Sequence, residues 1–559
     1  MKSEKALAPL LALLAAASLT ACSSGGSASS AAPSSSAAAP ASSAAAGESA
    51  PSEAPAEAQG VVYPIPEGGK LTIAMTEEAQ VTANAATLGD TPFAEELMKQ
   101  TGLTLEYKHP AGKDGMNLLF ASGDYPDIIA CYPFFTDYAG GPVKAIKDNV
   151  IVPVNDLMQF MPDLQAVFDG NELYRKSCVT PTGEIIGAPM IRNGDELLTS
   201  AGLIIRQDWL DDLGLETPET PEEVTAVLRE FREKKGATVP FSFTLTQLRS
   251  FGLGTTGGSC LTSPFGLPTV GFYQHDGKVY NGFYQAEYKG VLEWLHSLYE
   301  EGLLDPNFAT IEDSVQSSNI MNGQSGITIG RLNGGVGGYL QTMAEKDPTF
   351  NVIGFGPLVA QKGDVPMTTH YSNPVNGYFN VITSSCKDQE LAAKFLNYPY
   401  TEAGHLLYNF GVEGVSYTME NGTPTYTELI TKNPDGLNMQ YALAQYTRSW
   451  SGDGMLQDPL YIIQYSPFPQ QKETLKRWTN STAKEYKMPL VSVADEFANE
   501  YSALISDINT YTDEMTIRFI TGQESLDNFD SAYMATLQSM NIERAIELQQ
   551  MALDEFNAR

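Results

Sequence analysis

The sequence predicts an α/β protein with more than one lobe, on three observations. Short apolar runs of strand length alternate with amphipathic helical stretches from Lys70 onward. Roughly 500 residues follow a low-complexity N-terminal segment, too many for one simple core. Hydrophobic residues make up 42% of the chain and aromatic residues 10%, as a packed globular body requires. We find no internal repeat.

The N-terminus is the first element in chain order. Lys2 and Lys5 form a basic start, and Ala6 to Leu19 an apolar run that is short for a bilayer span and interrupted by Pro9. Thr20 and Ala21 then precede Cys22, so residues 1–21 are expected to be a signal peptide. Leu19-Thr20-Ala21-Cys22 resembles a bacterial lipobox, which implies that the Cys22 thiol carries a diacylglycerol and becomes the mature N-terminus. Residues 22–60 hold little besides Ser, Ala, Pro and Gly, with no large apolar side chains to offset the entropy of ordering. They are expected to form a disordered tether with a reach on the order of 30–35 Å. Lipid chains would hold such a body on the outer face of the cytoplasmic membrane, and no later segment has the length of a membrane span.

Charge narrows the partners. With 34 Lys and Arg against 67 Asp and Glu, the formal net charge is −33. Such a chain is repelled by nucleic acid and by anionic lipid head groups. The same argument disfavours a strongly anionic ligand, unless arginines are focused in a cleft. Four cysteines remain besides Cys22: Cys131, Cys178, Cys260 and Cys386. Their wide spacing shows no metal pattern and leaves two disulfides or four free thiols open. The five histidines have no HExxH or HxxxH spacing, so no metal and no cofactor is expected.

The folded body begins near Val61. Lys70–Thr76 reads as a strand, Pro92–Thr101 as a helix closed by Gly102, and Leu103–Lys108 as a second strand. Met116–Ser122 is a short helix and Asp127–Ala130 a buried strand. In an open α/β sheet ligands bind at the carboxyl ends of strands, which makes the loops after Met75 and Ala130 candidate site walls. Leu203 starts another apolar strand. Thr220, Pro221 and Glu223 supply N-cap, N1 and capping-box acid to a helix through Phe231. Tyr288–Glu301 buries Val291, Leu292, Leu295 and Leu298 and stops at Gly302. Gly326–Gly330 and Tyr378–Thr383 are strands, and Gln389–Leu396 is a helix. Phe497, Tyr501, Leu504, Ile508, Tyr511, Met515 and Phe519 recur at helical spacing up to Gly522, and further helices follow Leu526.

Several stretches, taken in order, resemble the extracellular solute-binding proteins of carbohydrate ABC importers, in the long lipoprotein subgroup common in Gram-positive bacteria. They are Arg206-Gln-Asp-Trp-Leu with the following Leu-Gly-Leu-Glu-Thr-Pro, the segment from Trp294 to Phe308, Asn409 to Tyr417, and Phe519-Ile-Thr-Gly. The resemblance implies a bilobal, periplasmic-binding-protein-like (type II) fold: two α/β lobes, a hinge crossed more than once and a helical C-terminal extension. On that basis lobe 1 is expected to take residues 61–180 plus about 325–385, and lobe 2 about 181–324 plus 386–490, with C-terminal helices over 491–559. It implies capture of a small solute, foremost an oligosaccharide, in an interlobe cleft, delivery to permease subunits, and no enzymatic step. A monomer is expected. Long relatives often carry an Asp/Asn-rich calcium loop after the helix that follows the Arg-x-Asp-Trp-Leu motif. Here that stretch reads Phe231-Arg-Glu-Lys-Lys-Gly and lacks the oxygen ligands calcium needs.

Sugars are held by aromatic faces and planar polar side chains presented from loops. The candidates are Trp450 in a Gly-rich context, Arg206 and Trp209 after an apolar strand, and Tyr132 and Phe135 at a strand end. Tyr371 and Asn373 in a polar loop, Glu413 in a turn and Glu78 after the first strand complete the set. Trp294 and Trp478 are expected to pack in the core. Competing readings are a secreted glycan-processing hydrolase, which needs two placed carboxylates, and a lipoprotein that reports a ligand to a membrane receptor.

Overall fold

The computed structural model describes residues 60–255, 258–370 and 372–559. The signal peptide and tether, including Cys22, and Tyr371 lie outside the described residues.

Among the described residues, ten of the fourteen strands and their connecting helices build two main sheets. The first takes β1 (Lys70–Ala74), β2 (Thr104–Lys108), β3 (Ile128–Pro133) and β4 (Ala188–Arg192). The second takes β5 (Ala201–Arg206), β6 (Phe241–Ser242), β9 (Ile327–Arg331) and β10 (Val352–Phe355). Between them in sequence, β7 (Phe272–His275) and β8 (Lys278–Asn281) form a hairpin. The chain then returns to the first sheet with β11 (Val375–Ile382) and, after a hairpin of β12 (Tyr417–Glu420) and β13 (Thr423–Tyr426), with β14 (Met455–Gln457).

The order in the first sheet is β14-β4-β11-β3-β1-β2 and in the second β10-β5-β9-β6. In the first sheet only β11 runs against its neighbours; β1 pairs in parallel with β2 (Leu71 opposite Leu105) and with β3 (Ile73 opposite Ile128). Every residue of β5 is buried, as expected for a central strand covered on both faces. The carboxyl ends of β1, β2, β3, β4 and β14 therefore share one edge. In the second sheet the carboxyl end of β9 lies beside the start of β5, because the two are antiparallel with Ala201 opposite Arg331.

Three segments join the lobes. The chain leaves the first sheet at Arg192 and enters the second at Ala201, returns between Phe355 and Val375, and leaves again after Gln457. The last passage ends in the helix Pro469–Thr479, which packs on β10: Thr474 Oγ1 accepts from the Gly354 amide at 2.7 Å and Trp478 Nε1 donates to the Phe355 carbonyl at 3.1 Å. A Cβ on Gly354 would lie 2.2 Å from Thr474 Cγ2, so glycine is what permits this close approach.

These pairings correct the expected lobe boundaries. Strand β9, placed by sequence in lobe 1, pairs with β5 and β6 in the second sheet. Conversely, residues 386–457, placed in lobe 2, pack on the first sheet through Ala392, Phe395, Leu407 and Met455. Helix Asp495–Ile520 and the helices after it are integral to the second lobe, since Ile508, Phe519, Tyr533 and Leu537 share a core with Leu203, Phe241, Leu292 and Ile329. Periodicity marks a strand but says nothing about its partner, and that is where the boundaries failed. All four described cysteines are free thiols. Among the described residues no group of three His, Cys, Asp or Glu could hold a metal ion, and no helix is long and apolar enough to cross a membrane.

Candidate functional site

Between the facing edges of the two sheets lies a cavity of about 440 Å³. The first lobe contributes Arg192, Trp450 and Gln457; the second contributes Arg331, Leu332, Asn333 and Gly334; the first crossing contributes Glu196, Thr199 and Ser200, and the last contributes Tyr461. A second cavity of about 510 Å³ shares Asn333, Gly334, Gln440 and Tyr465 with it and is bordered also by Asn433, Asn438 and Phe468. Arg192 also borders a third cavity of about 430 Å³, with Tyr174, Asn373, Lys484 and Lys487.

The local sequence explains each wall. Asp458 caps the helix Pro459–Tyr465, accepting from the Leu460 amide at 2.8 Å with Pro459 at the first helical position. His405 Nε2 lies 3.0 Å from the other Asp458 oxygen and fixes that cap. Four residues apart on this helix, Tyr461 and Tyr465 stack with centroids 5.6 Å apart and planes 11° apart. On the opposite wall β9 runs directly into Leu332–Gly337, where Gly335 leaves room for Ile204. Gln471 Nε2 donates to Asn333 Oδ1 at 2.6 Å, and the Ser466 hydroxyl donates to the same oxygen at 2.9 Å. The Asn333 amide nitrogen is thereby turned away from these partners and can serve a ligand.

Gln457 is 5% exposed and donates to the Ser449 carbonyl, but its Oε1 has no partner among the described residues. Buried acceptors are ordinarily paired, so an unfilled one on a cavity wall asks for a donor such as a hydroxyl. Trp450 is half-buried, donates from Nε1 to the Thr447 carbonyl at 3.2 Å, and lies 5.2 Å from the Arg448 guanidinium.

Of the residues anticipated from sequence, Trp450 borders the central cavity and Asn373 the third. Glu78 is bound bidentately by Arg448, at 2.7 and 3.1 Å, which occupies both its oxygens. Glu413 sits exposed in its turn and borders none of these cavities. Phe135 packs on Phe379, centroids 5.7 Å apart.

Three expectations need correction. Tyr132 is buried against Phe120 and Phe134, and burial pushes its phenol up to about 12. Arg206 is 5% exposed, ion-paired to Asp208 at 2.6 Å and held between the rings of Trp209 (4.5 Å) and Phe350 (4.4 Å). Trp209 itself packs edge-on against Phe231 at 5.1 Å in the second core. These two residues staple a helix to the second sheet and do not reach the cleft. Trp294 and Trp478 are buried as expected.

Arg192, Arg331, Asn333, Gln457, Tyr461 and Tyr465 went unanticipated. One signal was available: Arg331-Leu-Asn-Gly-Gly-Val-Gly-Gly is a glycine-rich run directly after an apolar strand. The two tyrosines look like an ordinary helical core pair until the fold places them on a cavity wall.

A trench between two α/β lobes joined by three crossings, walled by aromatic faces and planar amides, defines a two-lobed binding protein for a small solute. The chain belongs to the bacterial extracellular solute-binding proteins, whose family model matches residues 85–405. It is 26% identical over 371 residues to lipoprotein LipO of Bacillus subtilis (strain 168), covering 64% of this chain and 70% of that one. To the fructooligosaccharide ABC transporter substrate-binding protein FusA of Streptococcus pneumoniae it is 28% identical over 269 residues, 44% of this chain and 47% of FusA, so that match spans about half of that relative. The crystal structure of alginate-binding protein AlgQ2 without calcium ion superposes with TM-score 0.68 at 22% identity, covering 87% of this chain and 98% of that one, a likeness of fold.

Proposed function

We propose that this protein is the extracytoplasmic solute-binding component of an ABC importer and that it captures an oligosaccharide in the interlobe trench. The observation that carries the reading is the interlobe trench itself. Trp450, Tyr461 and Tyr465 border it as aromatic side chains from one side, and Asn333 borders it as a hydroxyl partner from the other. The name of FusA, a relative that binds fructooligosaccharides, supports the same class of ligand. A solute touching both lobes stabilises the closed arrangement by its differential affinity for it. The closed form is then handed to the permease, with no bond made or broken. Lipidation at Cys22 would keep a monomeric clamp on the outer membrane face, beside that permease.

A thermal-shift screen of the pure protein against a panel of oligosaccharides tests this. A ligand at one hundred times its Kd adds about 2.7 kcal/mol of stability. The reading expects such a rise with the sugar recovered intact. Turnover of the sugar, or stabilisation only by solutes other than sugars, would contradict it.

A further inference from the structure

We infer that the captured oligosaccharide is acidic: Arg192 and Arg331 are placed to receive an oxyanion of the ligand from opposite walls of the cleft. The inference rests on the reading of the trench as an oligosaccharide site.

Carboxylates outnumber cationic side chains about two to one in this chain, so an arginine readily finds a counter-charge. Nine of the twelve arginines make an ion pair within 4.0 Å. Of the other three, Arg175 is exposed on the surface of the helix Glu172–Cys178. The remaining two, Arg192 and Arg331, both face the central cavity and have no carboxylate partner among the described residues.

Each is carried by the end of a strand. Arg192 ends β4 and Arg331 ends β9, so the two come from different lobes. The Arg331 guanidinium lies 4.9 Å from the centroid of the Phe251 ring. Burial disfavours the charge on Arg192, the phenols of Tyr461 and Tyr378 favour it, and Arg331 opposes it further. A guanidinium does not shed its proton at neutral pH, so the unliganded cleft holds two guanidinium charges that no carboxylate among the described residues pairs directly. Lys487, bordering the third cavity beside Arg192, adds to it: burial pushes its ammonium down only to about 8.

The negative groups nearby do not cancel this. Asp195 is engaged by Lys484 at 2.8 Å, which leaves Glu196 as the carboxylate on the central wall. An oxyanion offers what a neutral hydroxyl cannot, namely paired charge-assisted hydrogen bonds to a planar guanidinium. A group bound by both arginines also draws the lobes together, so ligand charge favours closure. Uronate carboxylates, sulfate esters and phosphate esters share this chemistry.

The test is calorimetric titration of the full chain with matched pairs that differ only in the acidic group. Oligogalacturonates and hyaluronan oligosaccharides are set against their methyl esters, sulfated chondroitin oligosaccharides against desulfated ones, and phosphorylated maltotriose against maltotriose. The acidic member of a pair is expected to bind at least about tenfold tighter, with the margin shrinking as salt rises. Whichever pair shows it identifies the acidic group. Arg192→Gln and Arg331→Gln should each remove most of the margin without lowering the unliganded thermal midpoint. If a variant does not fold, the salt dependence of the wild-type margin decides. Neutral members binding as tightly as acidic ones, or a margin that survives both variants, would overturn the inference and leave the oligosaccharide reading standing. If no sugar of either kind binds, the reading of the site falls and this inference falls with it.

Discussion

Arg448 has no exposed side-chain surface, yet it carries a charge inside the first lobe. Burial opposes that charge, but Glu78 and Asp453 outweigh burial and hold the guanidinium protonated. The Asp453 carboxylate also accepts from Asn380 at 3.2 Å, and Asn380 accepts from the Cys131 amide at 2.9 Å, so the network ties β3 and β11 to the loop that carries Trp450. Removing one member of such a group strands the others without a counter-charge. Arg448→Met should cost about 3–5 kcal/mol in urea unfolding, and adding Glu78→Gln and Asp453→Asn should recover part of it. His370 is the opposite case. It is 3% exposed, and burial pushes its ring down to about 4, against an opposing contribution from the Ala201 backbone. Its folded value lies below its unfolded value of 6.5, so the unfolded chain binds the proton more readily. Stability from this group is present above pH 6.5 and is lost as pH falls towards about 4, a change on the order of 3 kcal/mol. Thermal midpoints between pH 6.5 and 5 should therefore fall more steeply for the wild type than for His370→Gln.

At the scale of elements, local patterning carried most of the information. The helix Pro92–Thr101 appears at its expected bounds, with Thr91 accepting from the Ala94 amide and Gly102 at φ 75°. Thr220, Pro221 and Glu223 open a helix as anticipated; it runs on to Lys235 because Gly236, at φ 73°, is the first residue suited to end it. The heptad-like run after Phe497 is one helix, Asp495–Ile520. Apolar spacing and caps act within a few residues, and so they are legible in sequence. Strand partnership is not, which is why β9 was assigned to the wrong lobe. Arg206 and Trp209 show the same limit: a polar and an aromatic residue after a strand look alike whether they face a cleft or a neighbouring ring. The glycine-rich wall yields a sharper prediction. A Cβ on Gly337 would lie 2.5 Å from Gln471 Nε2 and force that side chain off Asn333. Gly337→Ala should weaken ligand binding by about 1 kcal/mol, the worth of one hydrogen bond, measured by calorimetry.

For the whole molecule, the three crossings set the mechanics. Two α/β bodies share no sheet, and the walls of the trench belong to both, so relative motion of the lobes opens or closes the site with little change inside either core. The net charge of −33 and the two unpaired cleft arginines are features of one surface. An acidic body keeps the protein away from polyanions in general, while a focused positive cleft admits one anion of the right shape.

The most direct test of the account is titration calorimetry of an oligosaccharide that stabilises the wild type, repeated on Trp450→Ala and Tyr461→Ala. One binding site is expected in the wild type and affinity at least about tenfold weaker in each variant, alongside a loss of unliganded stability in Tyr461→Ala, whose ring is 6% exposed and packs in a core cluster. Unchanged affinity in both variants would place the ligand elsewhere and contradict the assignment of the trench.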